Sequence, residues 1–433
     1  MRDGERTDVS TDASGPRFFT RQCIGQVCVG TYFDGTHVFA TNLNDTALPR
    51  SNESAEALRA LRAISSLTFL APEFAASGGV VEDAQFAMVD GEQYRALVVR
   101  QPNAVPVGVY VDPKTALVRF TREVGGSSMF EFRDYRRVGN VMLPFVVLRD
   151  GEPVEAYDER AVMAAPFSPP RGLVPSIGSP ASPIATDPES TSPVFTCTLA
   201  GIETKCLLDT GNSGISMSLE LAEQLHAPSI GGFEVHGLGR YATEVVRVGP
   251  LLLGNVTFPM ADYVVLHDVH RLGYDVILGA DVLAATTVEI DYEHHLISFG
   301  APNTIEATSV PLTFENFVPV VAVQVGGVSA QLAVDTGDES NINLSSDFYA
   351  QHKDLFSATE ARQVNGIGGS SLEYIGQVPS VRIGTISLPD QRVGTTQTLH
   401  GTASGHIGAG FLNHFKIIFD YAAGLLQLVQ KKP

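Results

Sequence analysis

The chain has 433 residues, 44% hydrophobic and 18% charged, which is too long for one ordinary domain and apolar enough for packed cores. Its 29 Lys and Arg against 48 Asp and Glu give a formal net charge of −19, which argues against a phosphate-binding surface and so against nucleic acid as a partner. No apolar run reaches the ~18 residues that a membrane-crossing helix needs; the stretch 248–267 comes closest and is broken by Gly249, Pro250, Gly254, Asn255, Pro259 and Asp262.

Residues 1–16 are polar and charged and show no apolar stretch of the signal-peptide kind. From there to residue 165 the chain reads mostly as β, with short alternating apolar runs parted by turn signals at Asp34-Gly35, Asp90-Gly91, Asp112-Pro113, Gly139-Asn140 and Asp150-Gly151. Across 54–70, Ala55, Leu58, Leu61, Ile64 and Leu67 recur at three-residue spacing and predict a helix. The expected architecture over 1–165 is an α+β accessory domain, a curved antiparallel sheet packed against one or two helices. The run Asp112-Pro113-Lys114-Thr115-Ala116-Leu117, with Asp134-Tyr135-Arg136-Arg137-Val138 and Leu143-Pro144-Phe145 after it, resembles the LolA-like lipoprotein-carrier fold. That resemblance implies a sheet wrapped around an apolar cavity; a packed accessory domain without one is the favoured reading.

The four cysteines fall in two close pairs, Cys23/Cys28 and Cys197/Cys206. Two disulfides in an exported protein and four buried thiols are both open readings. Neither pair has the two-residue gap of a zinc knuckle, and no histidine cluster lies nearby. Residues 166–192 are rich in Pro, Ser and small side chains and lose all periodicity, as a semi-extended linker does.

Beyond the linker the chain repeats itself. The run Val194 to Leu199, a turn, then Lys205-Cys206-Leu207-Leu208-Asp209-Thr210-Gly211 is matched by Val320 to Val325, a turn at Gly326-Gly327, then Gln331-Leu332-Ala333-Val334-Asp335-Thr336-Gly337. At a similar distance downstream, Val276-Ile277-Leu278-Gly279-Ala280-Asp281 is matched by His406-Ile407-Gly408-Ala409-Gly410. Both copies close alike, with Ile290-Asp291-Tyr292 against Phe419-Asp420-Tyr421 and a final strand. One Asp-Thr-Gly is a weak signal, a strand-end turn with Asp capping the backbone; two copies in matched settings are a strong one.

The joint pattern over about 193–430 resembles the aspartic proteases of the retropepsin-like kind, as two lobes (193–302 and 303–433) fused in one chain. The resemblance implies a mainly β fold with two acid-protease barrels related by a pseudo-twofold axis, an aspartic-type endopeptidase with a peptide or protein substrate, and no cofactor or metal. It assigns Asp209 and Asp335 as the catalytic pair, Thr210 and Thr336 as cross-lobe ties, and Gly211 and Gly337 as open ground where water and the scissile bond approach. The glycine-rich segments Gly237-Leu238-Gly239 and Gly366-Ile367-Gly368-Gly369 take the place of flaps, bending over bound peptide. Asn212 and Asp338 follow the two motifs where the family usually has Ala or Ser, and His406 stands where an aliphatic residue is usual. Asp338 is either a third carboxylate that tunes the pair or favours a basic side chain, or a cap on the next turn.

The chemistry explains why two carboxyls are needed. Amide hydrolysis by water asks for a base and an acid at one pH. Two Asp side chains about 3 Å apart cannot both ionise, so they share one proton and titrate as a unit. A fold of this kind without cleavage, holding peptide or lipoprotein, is the rival reading. The weaker constellations read as turns: His267-Asp268-Val269-His270 in a loop and His294-His295 at a hairpin tip. The cysteine pairs and the carrier-like unit point towards a periplasmic or secreted protein, with the cytoplasm as the alternative.

Overall fold

The computed structural model describes residues 5–11, 17–50, 72–76, 78–101, 105–160, 168–179, 182–236, 240–300, 307–366, 369–396 and 403–430, and the described strands form five sheets. Helices are short and few among these residues; the expected helix over 54–70 lies outside them.

The expectation of one curved N-terminal sheet needs correcting: the described strands make two. Glu5–Thr11, Phe18–Ile24, Val27–Phe33, Val38–Thr41 and Ala47–Pro49 form a five-stranded antiparallel meander. Its second hairpin turns on Gly25 at φ 63°, with Cys23 directly opposite Cys28 and bonded to it. Seven more strands, from Val80–Val89 to Glu152–Ala156, follow as a second meander, and Phe74 of the helix Pro72–Ala76 packs into its core with Val99, Val109, Phe132 and Val147. The division has a packing cause. Leu48 of the first sheet belongs to the large core of the C-terminal half, not to the core of the second sheet.

The described part of the Pro/Ser-rich stretch docks on the sheets beyond it. Ser176–Ile177 pairs with Val256–Phe258, and Ile184–Ala185 with Leu296–Phe299. Pro175 and Pro183 precede these strands, and a residue that donates no N–H keeps such pairings short and at sheet edges.

In the C-terminal half two sheets share one strand order. The first runs Val194–Leu199, Ile202–Leu208, Val276–Leu278, Ile215–Ser218, Ala261–Leu266, Arg240–Val248, Ser229–His236. The second runs Val318–Val325, Val328–Asp335, Gly405–Gly408, Ile342–Ser345, Ile386–Thr396, Gly369–Ile383, Ser357–Gly366. Runs such as Val-Pro-Val-Val-Ala-Val-Gln-Val are β-branched and buried on both faces, which selects strand over helix. Each copy then starts a short helix behind a capping serine, Ser218 accepting from Leu221 N and Ser345 from Phe348 N. The copies differ in closure. Gly369–Ile383 is long enough to pair back onto Val318–Val325 and complete a six-stranded barrel. Its counterpart stops at Val248 before Gly249-Pro250, and the separate strand Leu251–Leu253 takes over the pairing with Val194–Leu199, leaving a half-barrel. A six-stranded sheet knits the halves through the antiparallel pairing of Val288–Asp291 with Phe415–Asp420.

Candidate active site

Asp209 leaves the buried strand Ile202–Leu208 and Asp335 ends the strand Val328–Asp335. Each is set by a parallel neighbour: Asp209 N donates to Leu278 O (2.9 Å), and Asp335 lies in register with Gly408. Each carboxylate then turns back on its own loop. Asp209 Oδ1 accepts from Gly211 N (2.8 Å), and Asp335 Oδ1 from Gly337 N (3.0 Å) and Asp338 N (3.2 Å).

The threonines join the two loops. Thr210 N donates to Thr336 Oγ1 (3.1 Å) and Thr336 N to Thr210 Oγ1 (3.0 Å). The Thr210 hydroxyl donates to Val334 O (2.5 Å), and that of Thr336 to Leu208 O (2.7 Å). Both side chains are fully buried, so these four bonds face no competition from water.

The outcome is a pair of carboxyls each set against the glycine of the opposite loop. Burial first, then the charge of Asp335 and the bond to it, push the Asp209 carboxyl well above the ordinary carboxylate range, against a smaller pull from Gly211 N–H. Two carboxyls brought this close resist ionising together. The geometry gives the glycines a further role. A Cβ on Gly211 would lie 2.6 Å from Asp335 Oδ2, and one on Gly337 would lie 2.5 Å from Asp209 Cγ. The space they leave is filled by the opposite carboxyl, and without it the two acids could not meet.

The flanks of the loops differ. In the first half Asn212 Nδ2 donates to Ser216 Oγ (3.3 Å), beside Ile277. In the second, Asp338 turns away from the pair and caps its own turn, accepting from Ser340 N (2.8 Å) and Ser340 Oγ (2.6 Å). Its Oδ2 also lies 2.6 Å from His406 Nε2, and Asn343 joins both groups. Burial raises the Asp338 carboxyl, but His406 and the Ser340 donors outweigh it and leave it below the ordinary range. Asp338 still bears on the pair, since its charge adds to the upward push on Asp209.

Of the flap residues, Gly237, Leu238, Gly239, Ile367 and Gly368 lie outside the described residues. Gly366 and Gly369 pair at the end of the hairpin formed by Ser357–Gly366 and Gly369–Ile383. The first half has the matching hairpin of Ser229–His236 and Arg240–Val248. Cys197 and Cys206 are disulfide-bonded and tie the first strand to the one that leads into Asp209. His270 Nδ1 lies 2.7 Å from Asp275 Oδ1 in an exposed turn, and His294 caps back onto Asp291. Among the described residues no group of three or more His, Cys, Asp or Glu is arranged to hold a metal ion.

Sequence reasoning missed two tyrosines and one acid. Tyr421 is buried, and its phenol is pushed up by burial and then by the charges of Asp209 and Asp335. Tyr274 feels both acids together with Glu339. The duplicated Asp-Tyr at 291–292 and 420–421 was the available signal for the first of these. Asp281, 1% exposed, had no signal of its own, for its partners lie far away in the chain.

Residues 195–282 match the model of a family described as aspartyl protease, a span that contains Asp209 and the element up to Asp281. No curated protein matches the chain.

Proposed function

We propose that the aspartyl protease domain at residues 195–282 and the half that follows it act together as one aspartic endopeptidase, with two retropepsin-like lobes related by a pseudo-twofold axis. The observation that carries this reading is the placement of Asp209 and Asp335, each against the other loop's glycine, on loops tied by reciprocal threonine contacts. The ionised member of the pair takes a proton from water as its oxygen attacks the peptide carbonyl carbon. The protonated member hydrogen-bonds to the carbonyl oxygen and so stabilises the negative charge that forms there. Collapse of the tetrahedral intermediate breaks the C–N bond, with the proton passing to the leaving amine, and the pair returns with one proton. The acid and base roles exchange over the cycle, so neither Asp owns one of them.

An extended peptide suits the groove under the two hairpins, with strand-like backbone bonding for affinity and alternating pockets for selectivity. The two disulfides support an oxidising, extracytoplasmic setting. For the seven-stranded sheet, the packed core of Phe74, Val99, Val109, Phe132 and Val147 supports a packed accessory domain. The experiment is cleavage of denatured casein from acid to neutral pH, with and without pepstatin, beside Asp209→Asn and Asp335→Asn. Loss of pepstatin-sensitive cleavage in both variants supports the enzyme; an equal background in all three proteins, with peptide still bound, supports the silent binder instead.

A further inference from the structure

The loop that carries Asp209 is held from outside its own barrel. Residues 42–46 join two strands of the five-stranded sheet and run into the base of the first half. Asn42 Nδ2 donates to Ser213 O (2.9 Å) and Asp281 Oδ1 (2.7 Å). Asn44 Nδ2 donates to Asp281 Oδ2 (2.7 Å) and Asp262 O (2.9 Å), while Asn44 Oδ1 accepts from Asp262 N (2.8 Å). The Thr46 hydroxyl donates to Asp281 Oδ1. A carboxyl so deeply buried needs such donors, since leaving it unpaired is costly; here three of them come from a segment 235 to 239 residues away.

The loop is shaped for this. Asn42 Oδ1 accepts from Asn44 N and Thr46 N, both at 3.1 Å, and Asp45 is paired with Arg21 of the same sheet. The contact leads directly to the site. Asp281 sits on the helix Ala280–Ala285, where Gly279 N donates to Gly214 O (2.9 Å) and Ala280 N to Asn212 O (3.0 Å). The same sheet also reaches the first flap hairpin. Gln26 N donates to Ile230 O (3.4 Å), and a Cβ on Gly231 would lie 2.6 Å from Val27 Cγ2. Among the described residues the second half has no counterpart. Gly410 stands in place of Asp281, against Asn341 and the backbone of Glu339 and Ser340.

We propose that Asn42, Asn44 and Thr46 are positioning residues of the first half-site, acting through Asp281 and Ser213, and that the five-stranded sheet is a working part of the enzyme, not a detachable segment. The kinetic part rests on the protease reading above. In the full chain, Asn42→Ala lowers kcat by about 10- to 100-fold with KM within about twofold, the range expected when a loop shifts by a fraction of an ångström up to about 1 Å. Thr46→Val gives a smaller loss, and Thr46→Ser, which keeps the hydroxyl, restores the rate. Amide hydrogen exchange supplies a readout that needs no activity: it speeds up over residues 209–216 in Asn42→Ala and Thr46→Val and stays unchanged over 335–343. Unchanged exchange over 209–216, or equal acceleration in both segments, overturns the proposal, as does an active Asn42→Ala with wild-type kcat. If wild type shows no cleavage dependent on Asp209 and Asp335, the protease reading fails while the exchange result still decides the positioning role.

Discussion

The two half-sites offer the same chemical group in different surroundings. Around Asp209 the flank is neutral, Asn212 with Ser216 and Ile277, and the support comes from another sheet through Asp281. Around Asp335 the flank is charged, Asp338 with His406 and Asn343, and the barrel closes on itself. The two halves keep Asp, Thr and Gly at matched places and differ in the shells around them. An open half-barrel is steadied by a neighbour; a closed one steadies itself.

The largest expected effect tests the equality of the two acids. Asp209→Asn and Asp335→Asn should each lower kcat/KM by about 10²–10⁴-fold, the usual worth of a positioned acid or base. A residual rate in one variant only would show that the halves are not chemically equivalent. Next come the ties between loops. Thr336→Val leaves Leu208 O and Thr210 N without their partner at a fully buried point. It should cost about 1–3 kcal/mol per orphaned group in a denaturant titration, and Thr210→Val should match it.

The third effect is on stability and has a definite sign. Burial, with the charge of Asp335 added, holds the Asp209 carboxyl above its ordinary value, so the folded protein keeps a proton that the unfolded chain releases. That contribution is fully favourable below about pH 4 and is lost as pH rises through the raised value. Asp209→Asn removes the conflict, so its Tm at pH 7 should exceed wild type by about 2–4 °C per kcal/mol relieved, with the gain vanishing near pH 3.5. A gain that persists at acid pH would contradict this account. The smallest effect sharpens the contrast between flanks. Asp338→Asn removes a negative charge near the pair and should move the pH optimum for cleavage down by less than about one unit. His406→Ile copies the first half, leaves Asp338 uncompensated, and should move the optimum up. Shifts of the same sign in both variants would mean that charge is not the cause.

Much of the site was legible because the chain states it twice. The repeated Asp-Thr-Gly, the downstream glycine and the closing Asp-Tyr each sit on local strand patterns, so both loops and their supports could be located. What stayed hidden depends on contacts between segments far apart in the chain. Nothing in Asn42, Asn44 or Thr46 announces a carboxyl at 281, since three polar residues in a turn look like any solvated loop. The prolines at 175 and 183 concealed strands because composition describes the backbone's stiffness, not where it docks. Asp338 caps its turn while its charge still reaches the pair, and that double role depends on Ser340 and His406, whose orientation no spacing reveals. The division of the N-terminal strands into two sheets was likewise invisible, since it turns on which core receives Leu48.

The reciprocal fit of the two glycines has a consequence for how such a chain can change. Each half lacks a methyl group at the spot where the other half inserts its acid, so a substitution in one copy injures its sibling first. Two segments arranged this way cannot drift apart independently at these positions, since a side chain gained at either glycine must displace the acid of the other half.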